Sequence, residues 1–200
     1  MTVAVAMTLP NKLTIVRICL TAVIALFLFM PGLTSKVIAL VAFLIASLTD
    51  WLDGYLARRW HQTSALGALL DPIADKVLVL GTFSAFAQLH IVPWWVVWLI
   101  ALRELLVTGA RLMATRRHII LAAEREGKQK TVSQLIAAVV VLIVVILQEM
   151  RGNAPLPVEH RVTMDVAVLG CMGFATVLTL VSGASFFWNH RKEFHAVLRA

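Results

Sequence analysis

The chain has 200 residues, 60% of them hydrophobic and only 14% charged, and its mean hydropathy is +0.86. A domain that folds in water carries charge on about a quarter of its residues, so lipid is the expected solvent for most of this chain. The net charge of +7 does not imply a nucleic-acid partner, because the basic residues segregate along the chain instead of forming one patch.

Crossing a bilayer as a helix takes about 20 mainly apolar residues. Six runs have that character, at about 12 to 30, 35 to 59, 65 to 89, 93 to 117, 129 to 150 and 162 to 188. Barrel strands would instead alternate over segments of about ten residues. The fold class expected is therefore an all-α integral membrane protein with six transmembrane helices. It forms a single domain over residues 1–200, without the internal repeats on which many transporters are built. Lys12 and Arg17 precede the first run as in a signal peptide, but Met30-Pro31-Gly32 offers no small-residue cleavage pattern, so a retained helix is expected. Cys19 and Cys171 fall inside spans without metal-ligand spacing and are expected to be small buried hydrophobes.

The connections alternate between the two sides of the membrane. Apart from Lys76 and Arg103, which lie inside spans, thirteen of the basic residues fall on one side, from Lys12 and Arg17 through Arg58, Arg59 and the Arg111 to Lys130 region to Arg191, Lys192 and Arg199. Only Lys36, Arg151 and Arg161 fall on the other. The positive-inside rule then puts both termini and the segments near residues 60 and 120 in the cytoplasm. Pro31-Gly32, Pro93 and the 152–157 stretch punctuate the outer side, and Ile119 to Glu126 has the pattern of a short interfacial helix. The last span is long for one crossing, so Phe186, Phe187 and Trp188 are expected at the headgroup level.

Four aspartates stand where the second and third spans approach the cytoplasm. An ionised group inside a membrane helix costs about 2.5 to 3.5 kcal/mol, so four cost on the order of 10 kcal/mol unless something neutralises them. Asp50, Asp53, Gly54, Ala57 and Arg58 recur at i, i+3, i+4, i+7 and i+8, which is one helix face. Gly67, Asp71 and Asp75 recur at i, i+4 and i+8 on the next span. A hairpin brings the two faces together, at similar depth. Hard carboxylate oxygens suit Mg²⁺ or Mn²⁺, and two such ions about 4 Å apart clamp the attacking and leaving oxygens of a phosphoryl displacement. Gly54, Ala57 and Gly67 are small where a ligand needs close approach, and Arg58 can offer its guanidinium to phosphate. Any one of these aspartates alone would read as a helix cap or as a partner of Lys76 or Arg58. Pro72 either kinks the third span or sits in its first turn.

The run Asp50-x2-Asp53-Gly54-x2-Ala57-Arg58-x8-Gly67-x3-Asp71-x3-Asp75 resembles, without a departure, the signature of the CDP-alcohol phosphotransferases. The resemblance implies a six-helix fold in the cell (inner) membrane, usually a homodimer, with a di-metal site opening to the cytoplasm. It implies that Asp50, Asp53, Asp71 and Asp75 hold two divalent cations, and that Asp75 is the general base. It implies further that Gly54, Ala57, Arg58 and Gly67, together with Asp53, line the cytidine nucleotide site.

Members of the family differ in the acceptor alcohol. Leu9-Pro10-Asn11-Lys12, then Thr14 and Arg17, resemble the family's usual start of the first helix. Arg103-Glu104, Thr108 and Arg111 in the fourth span, with Gly127-Lys128-Gln129-Lys130-Thr131 opening the fifth, resemble the corresponding segments of its phosphatidylglycerophosphate synthases. That resemblance implies CDP-diacylglycerol and glycerol 3-phosphate as substrates. An acceptor that is itself a phosphate monoester needs a basic pocket, and Arg111, Lys128 and Lys130 stand where two spans meet the cytoplasm. Lys128 and Lys130 read equally as ordinary positive-inside charge. Arg103-Glu104, near mid-membrane, reads as a structural ion pair or as a substrate contact. Inositol phosphate, serine or phosphatidylglycerol are the alternative acceptors. An ion transporter would place its carboxylates at mid-bilayer on broken helices. The six histidines have no ligand spacing.

Overall fold

A computed structural model describes residues 9–60, 65–116, 125–151 and 158–191, with side chains over 15–49, 76–115, 129–151 and 162–191 and at Glu159. Six helices account for nearly all of it: α1 (Leu9–Phe29), α2 (Leu33–Trp60), α3 (Ala65–Gln88), α4 (Trp94–Arg116), α5 (Arg125–Arg151) and α6 (Val158–Asn189). No strand occurs among the described residues. Each helix corresponds to one of the six apolar runs, with ends displaced by no more than four residues. The segment 117–124, which holds most of the expected interfacial helix, lies outside the described residues. Two stretches of the described helices are long and apolar enough to cross a membrane, Gln129–Arg151 of α5 and Val162–Asn189 of α6.

The described turns use the punctuation visible in the sequence. Gly32, between α1 and α2, has φ 101°, a conformation that costs glycine nothing and other residues a good deal. Its N–H donates to Glu149 Oε1 of α5 at 2.6 Å. Lys36 is buried and donates its ammonium to the Leu28 and Met30 carbonyls. These are among the carbonyls left without helical donors at the end of α1, where a cation is also favoured by the helix dipole. Lys36 thus has a structural role at the α1–α2 turn. His90, after α3, has φ 59°, which histidine tolerates better than most residues.

The chain divides into two compact units, Met1–Leu89 with Leu142–Ala154, and His90–Val141 with Pro155–Ala200. In the first, α1 packs on both α2 and α3. Arg17, Thr21, Ile24 and Leu28 form its buried stripe, at i, i+4, i+7 and i+11. Phe43 and Ala46 of α2 and Phe83 and Phe86 of α3 are likewise buried. Gly81 permits the closest approach, since a Cβ there would lie 2.7 Å from Thr21 Cγ2. Cys19 corrects the sequence expectation: it is exposed on the outer face of α1, away from that stripe.

In the second unit α4 packs on α6, and the polarity runs opposite to that of a water-soluble bundle. The inward face of α4 carries Arg103 with Ile100 and Val107, while Trp98 is 69% and Leu105 66% exposed. The inward face of α6 carries Thr176, Thr179 and Ser182, while Phe174, Val177 and Val181 face out. Apolar surface on this scale is unfavourable in water and suits lipid, where small and polar residues move to the helix contacts. This is a membrane protein. At the end of α6, Trp188 is exposed and carries the Arg191 guanidinium 4.9 Å from its ring. Phe186 is buried, on the same face as Thr179 and Ser182.

Candidate active site

The motif residues sit on unbroken helix. Because α2 runs without interruption to Trp60, Asp50, Asp53, Gly54, Ala57 and Arg58 keep the register of one face. Because α3 starts at Ala65, Gly67, Asp71 and Asp75 occupy its first three turns in one-turn steps. Asp50 stands ten residues before Trp60 and Asp75 ten residues after Ala65, about 15 Å of helix in each case. Asp53 and Asp71 match in the same way, at seven and six residues. Equal heights are what a hairpin needs to bring four carboxylates to one level, and α1 packs against both helices within a single unit. Pro72 lies in the interior of α3, which continues through it, so its first-turn placement is ruled out. The side chains of the four aspartates, and of Gly54, Ala57, Arg58 and Gly67, lie outside the described residues. Among the described side chains no group of three or more His, Cys, Asp or Glu comes together. A set of carboxylates alone, at helical spacing on continuous backbone, fits hard divalent cations.

The described chemistry of α4, α5 and α6 centres on Arg103. Its Nε donates to the Thr179 carbonyl at 3.1 Å, its Nη2 to Ser182 Oγ at 2.9 Å and its Nη1 to Glu104 Oε1 at 3.1 Å. The same Glu104 oxygen accepts from the Lys130 ammonium. Gln134, one turn after Lys130, donates to Thr179 Oγ1 at 2.8 Å, and that hydroxyl donates to the Ala175 carbonyl at 2.7 Å. Buried charges in lipid must be paired or hydrogen-bonded, and this seam does both. Arg103 and Glu104 are therefore an ion pair, and Lys130 belongs with them.

The residues expected to hold an acceptor phosphate are not equivalent. Lys130 is buried in this seam, whereas Arg111 is exposed with its guanidinium 5.2 Å from the Phe186 ring centre. Lys128 is helical, but its side chain lies outside the described residues. Two positions apart on one helix means about 200° around the axis, so Lys128 and Lys130 do not share a face of α5. Thr179, Ser182 and Gln134 were not singled out from the sequence. Their signal was there in α6, where Ala175, Thr176, Thr179, Ser182 and Gly183 make a small, polar stripe inside an apolar run. An apolar cleft of about 390 Å³ on α5 and α6 is lined by Val132, Ile136, Cys171 and Phe174 among others, and by none of the expected site residues.

The chain thus has lipid-suited helix exteriors and a carboxylate, glycine and arginine motif on two successive helices. Residues 7–188 match the CDP-alcohol phosphatidyltransferase family model, and the chain belongs to that family. It is 35% identical to the CDP-diacylglycerol–glycerol-3-phosphate 3-phosphatidyltransferase of Bacillus subtilis (strain 168), over 90% of this chain and 93% of that one. It is 37% identical to a probable phosphatidylglycerophosphate synthase of Mycobacterium tuberculosis (strain CDC 1551 / Oshkosh), over 89% of this chain and 79% of the other. With the CDP-diacylglycerol–glycerol-3-phosphate 3-phosphatidyltransferase of Escherichia coli (strain K12) it shares 36% identity, over 64% and 73% of the two chains.

Proposed function

We propose that the chain transfers the phosphatidyl group of CDP-diacylglycerol to glycerol 3-phosphate, giving phosphatidylglycerophosphate and CMP. The observation that carries this is the intact motif from Asp50 to Asp75 on two continuous helices, in a chain with near full-length relatives named for that reaction. Residues 1–200 act as one catalytic domain whose six helices cross the cell membrane, with both termini and the active site on the cytoplasmic side and a homodimer as the assembly. The basic-residue asymmetry and the apolar exteriors support this topology.

Asp50, Asp53, Asp71 and Asp75 would hold two divalent cations, Mg²⁺ or Mn²⁺, which offset the charge developing on the pyrophosphate. Asp75 takes the proton of the acceptor's free primary hydroxyl. That oxygen bonds to the lipid-side phosphorus, the bond from phosphorus to the CMP oxygen breaks, and CMP leaves. Gly54, Ala57 and Gly67 admit the nucleotide close to the backbone, and Arg58 pairs with its phosphate. Arg111, Lys128 and Lys130 bind the acceptor phosphate.

Purified protein, given CDP-diacylglycerol and Mg²⁺, should release CMP with glycerol 3-phosphate and far less with inositol phosphate, serine or phosphatidylglycerol. Preference for an acceptor without phosphate would overturn the acceptor assignment. CMP release undiminished by chelation would overturn the metal assignment.

A further inference from the structure

Glu104 has no part in the metal or nucleotide sites, yet it is a carboxylate placed in the interior of a membrane helix. Its Oε1 takes hydrogen bonds from two cations that are anchored very differently. Arg103 is fixed to α6 through the Thr179 carbonyl and Ser182 Oγ. Gly183 is part of that fit, since a Cβ there would lie 2.9 Å from Arg103 Cγ. Lys130 arrives from α5 on a flexible four-carbon stem, which by itself defines no single position for the ammonium. Glu104 joins this mobile cation to the fixed one. Gln134 ties the same face of α5 to Thr179, the residue whose carbonyl receives Arg103. The end point of this chain of bonds is the position of one ammonium group.

We propose that Glu104 is a positioning residue for the acceptor site, holding the Lys130 ammonium where the acceptor's phosphate binds; this rests on the reading of Lys130 as a phosphate-binding residue. Arg103, Lys130 and Glu104 together keep a formal charge of +1, so the cluster still attracts an anion with the carboxylate in place. The function of the carboxylate is geometric: a pre-placed ammonium loses less conformational freedom when phosphate arrives.

A double-mutant cycle on purified protein tests this. Glu104→Gln should raise the KM for glycerol 3-phosphate about 10-fold, the scale of one charged hydrogen bond, and leave the KM for CDP-diacylglycerol within about twofold. Lys130→Met should raise the same KM. Adding Glu104→Gln to Lys130→Met should change it no further. Glu104→Asp, which keeps the charge but withdraws it by one methylene, should give a smaller rise that also vanishes in the Lys130→Met background, and it carries the test if Glu104→Gln does not fold. If Lys130→Met raises the KM but the Glu104 variants do not, or if their effects multiply, the positioning role is overturned and the acceptor site stands. If Lys130→Met itself leaves the KM unmoved, the acceptor reading of Lys130 falls, and the role of Glu104 falls with it.

Discussion

Thr21 and Thr82 of the first unit find their acceptors within their own helix, and Lys36 of α2 reaches back only to the end of α1 that it follows. Arg103, Lys130 and Gln134 of the second reach across to other helices. Groups bonded within one helix say nothing about which helix lies next door; between α1 and α3 the described fit is one of shape at Gly81, where a Cβ would lie 2.7 Å from Thr21 Cγ2. In α4, α5 and α6 the register is written in hydrogen bonds. The expected catalytic motif is on α2 and α3 of the first unit, and the cations expected to meet the acceptor are on α4 and α5. Chemistry and acceptor choice should therefore fail separately when mutated.

The largest effect should come from the motif. Asp75→Asn should lower turnover by at least about 100-fold at saturating metal and substrates, the scale of a lost general base, while CDP-diacylglycerol binding changes much less. Steady-state kinetics combined with a nucleotide-binding assay separates the two, and near-normal turnover would remove Asp75 as the base. Next comes the seam. Arg103→Met takes the donor from the Thr179 carbonyl and Ser182 Oγ and leaves Glu104 with Lys130 alone in a low-dielectric interior, and should cost about 3 to 5 kcal/mol of stability, read as thermal unfolding in detergent.

The helices that carry the four aspartates were legible because a motif at helical spacing needs only one dimension, and Gly32 and Pro93 marked turns in the same way. The partners of Arg103 were not legible, because Thr179 and Ser182 lie 76 and 79 residues further on. Lys130 was ambiguous for a related reason: positive-inside charge and a buried ion-pair member look alike until Glu104 is seen beside it. Cys19 was misplaced because an apolar run in lipid carries no contrast between its inner and outer faces.

Smaller effects should follow in the first unit. Gly81→Ala presses a methyl into Thr21 and should cost about 1 to 3 kcal/mol. Thr21→Ser, which removes the methyl but keeps the hydroxyl bond to the Arg17 carbonyl, should recover most of that in the double variant. Failure of the rescue would mean that α1 and α3 are not limited at this contact. Smallest of all should be Thr82→Val, near neutral or up to about 1 kcal/mol, since the hydroxyl bonds only its own helix at the Leu78 carbonyl. A loss there as large as that of Arg103→Met would erase the distinction between the two units.

The identity of the lipid formed tests the central assignment most directly. Purified protein incubated with CDP-diacylglycerol, glycerol 3-phosphate and Mg²⁺ should yield phosphatidylglycerophosphate by mass spectrometry, one molecule for each CMP released, and none when Asp75→Asn replaces the wild-type chain. Release of CMP without that lipid, or an equal yield from the Asp75→Asn protein, would contradict the account.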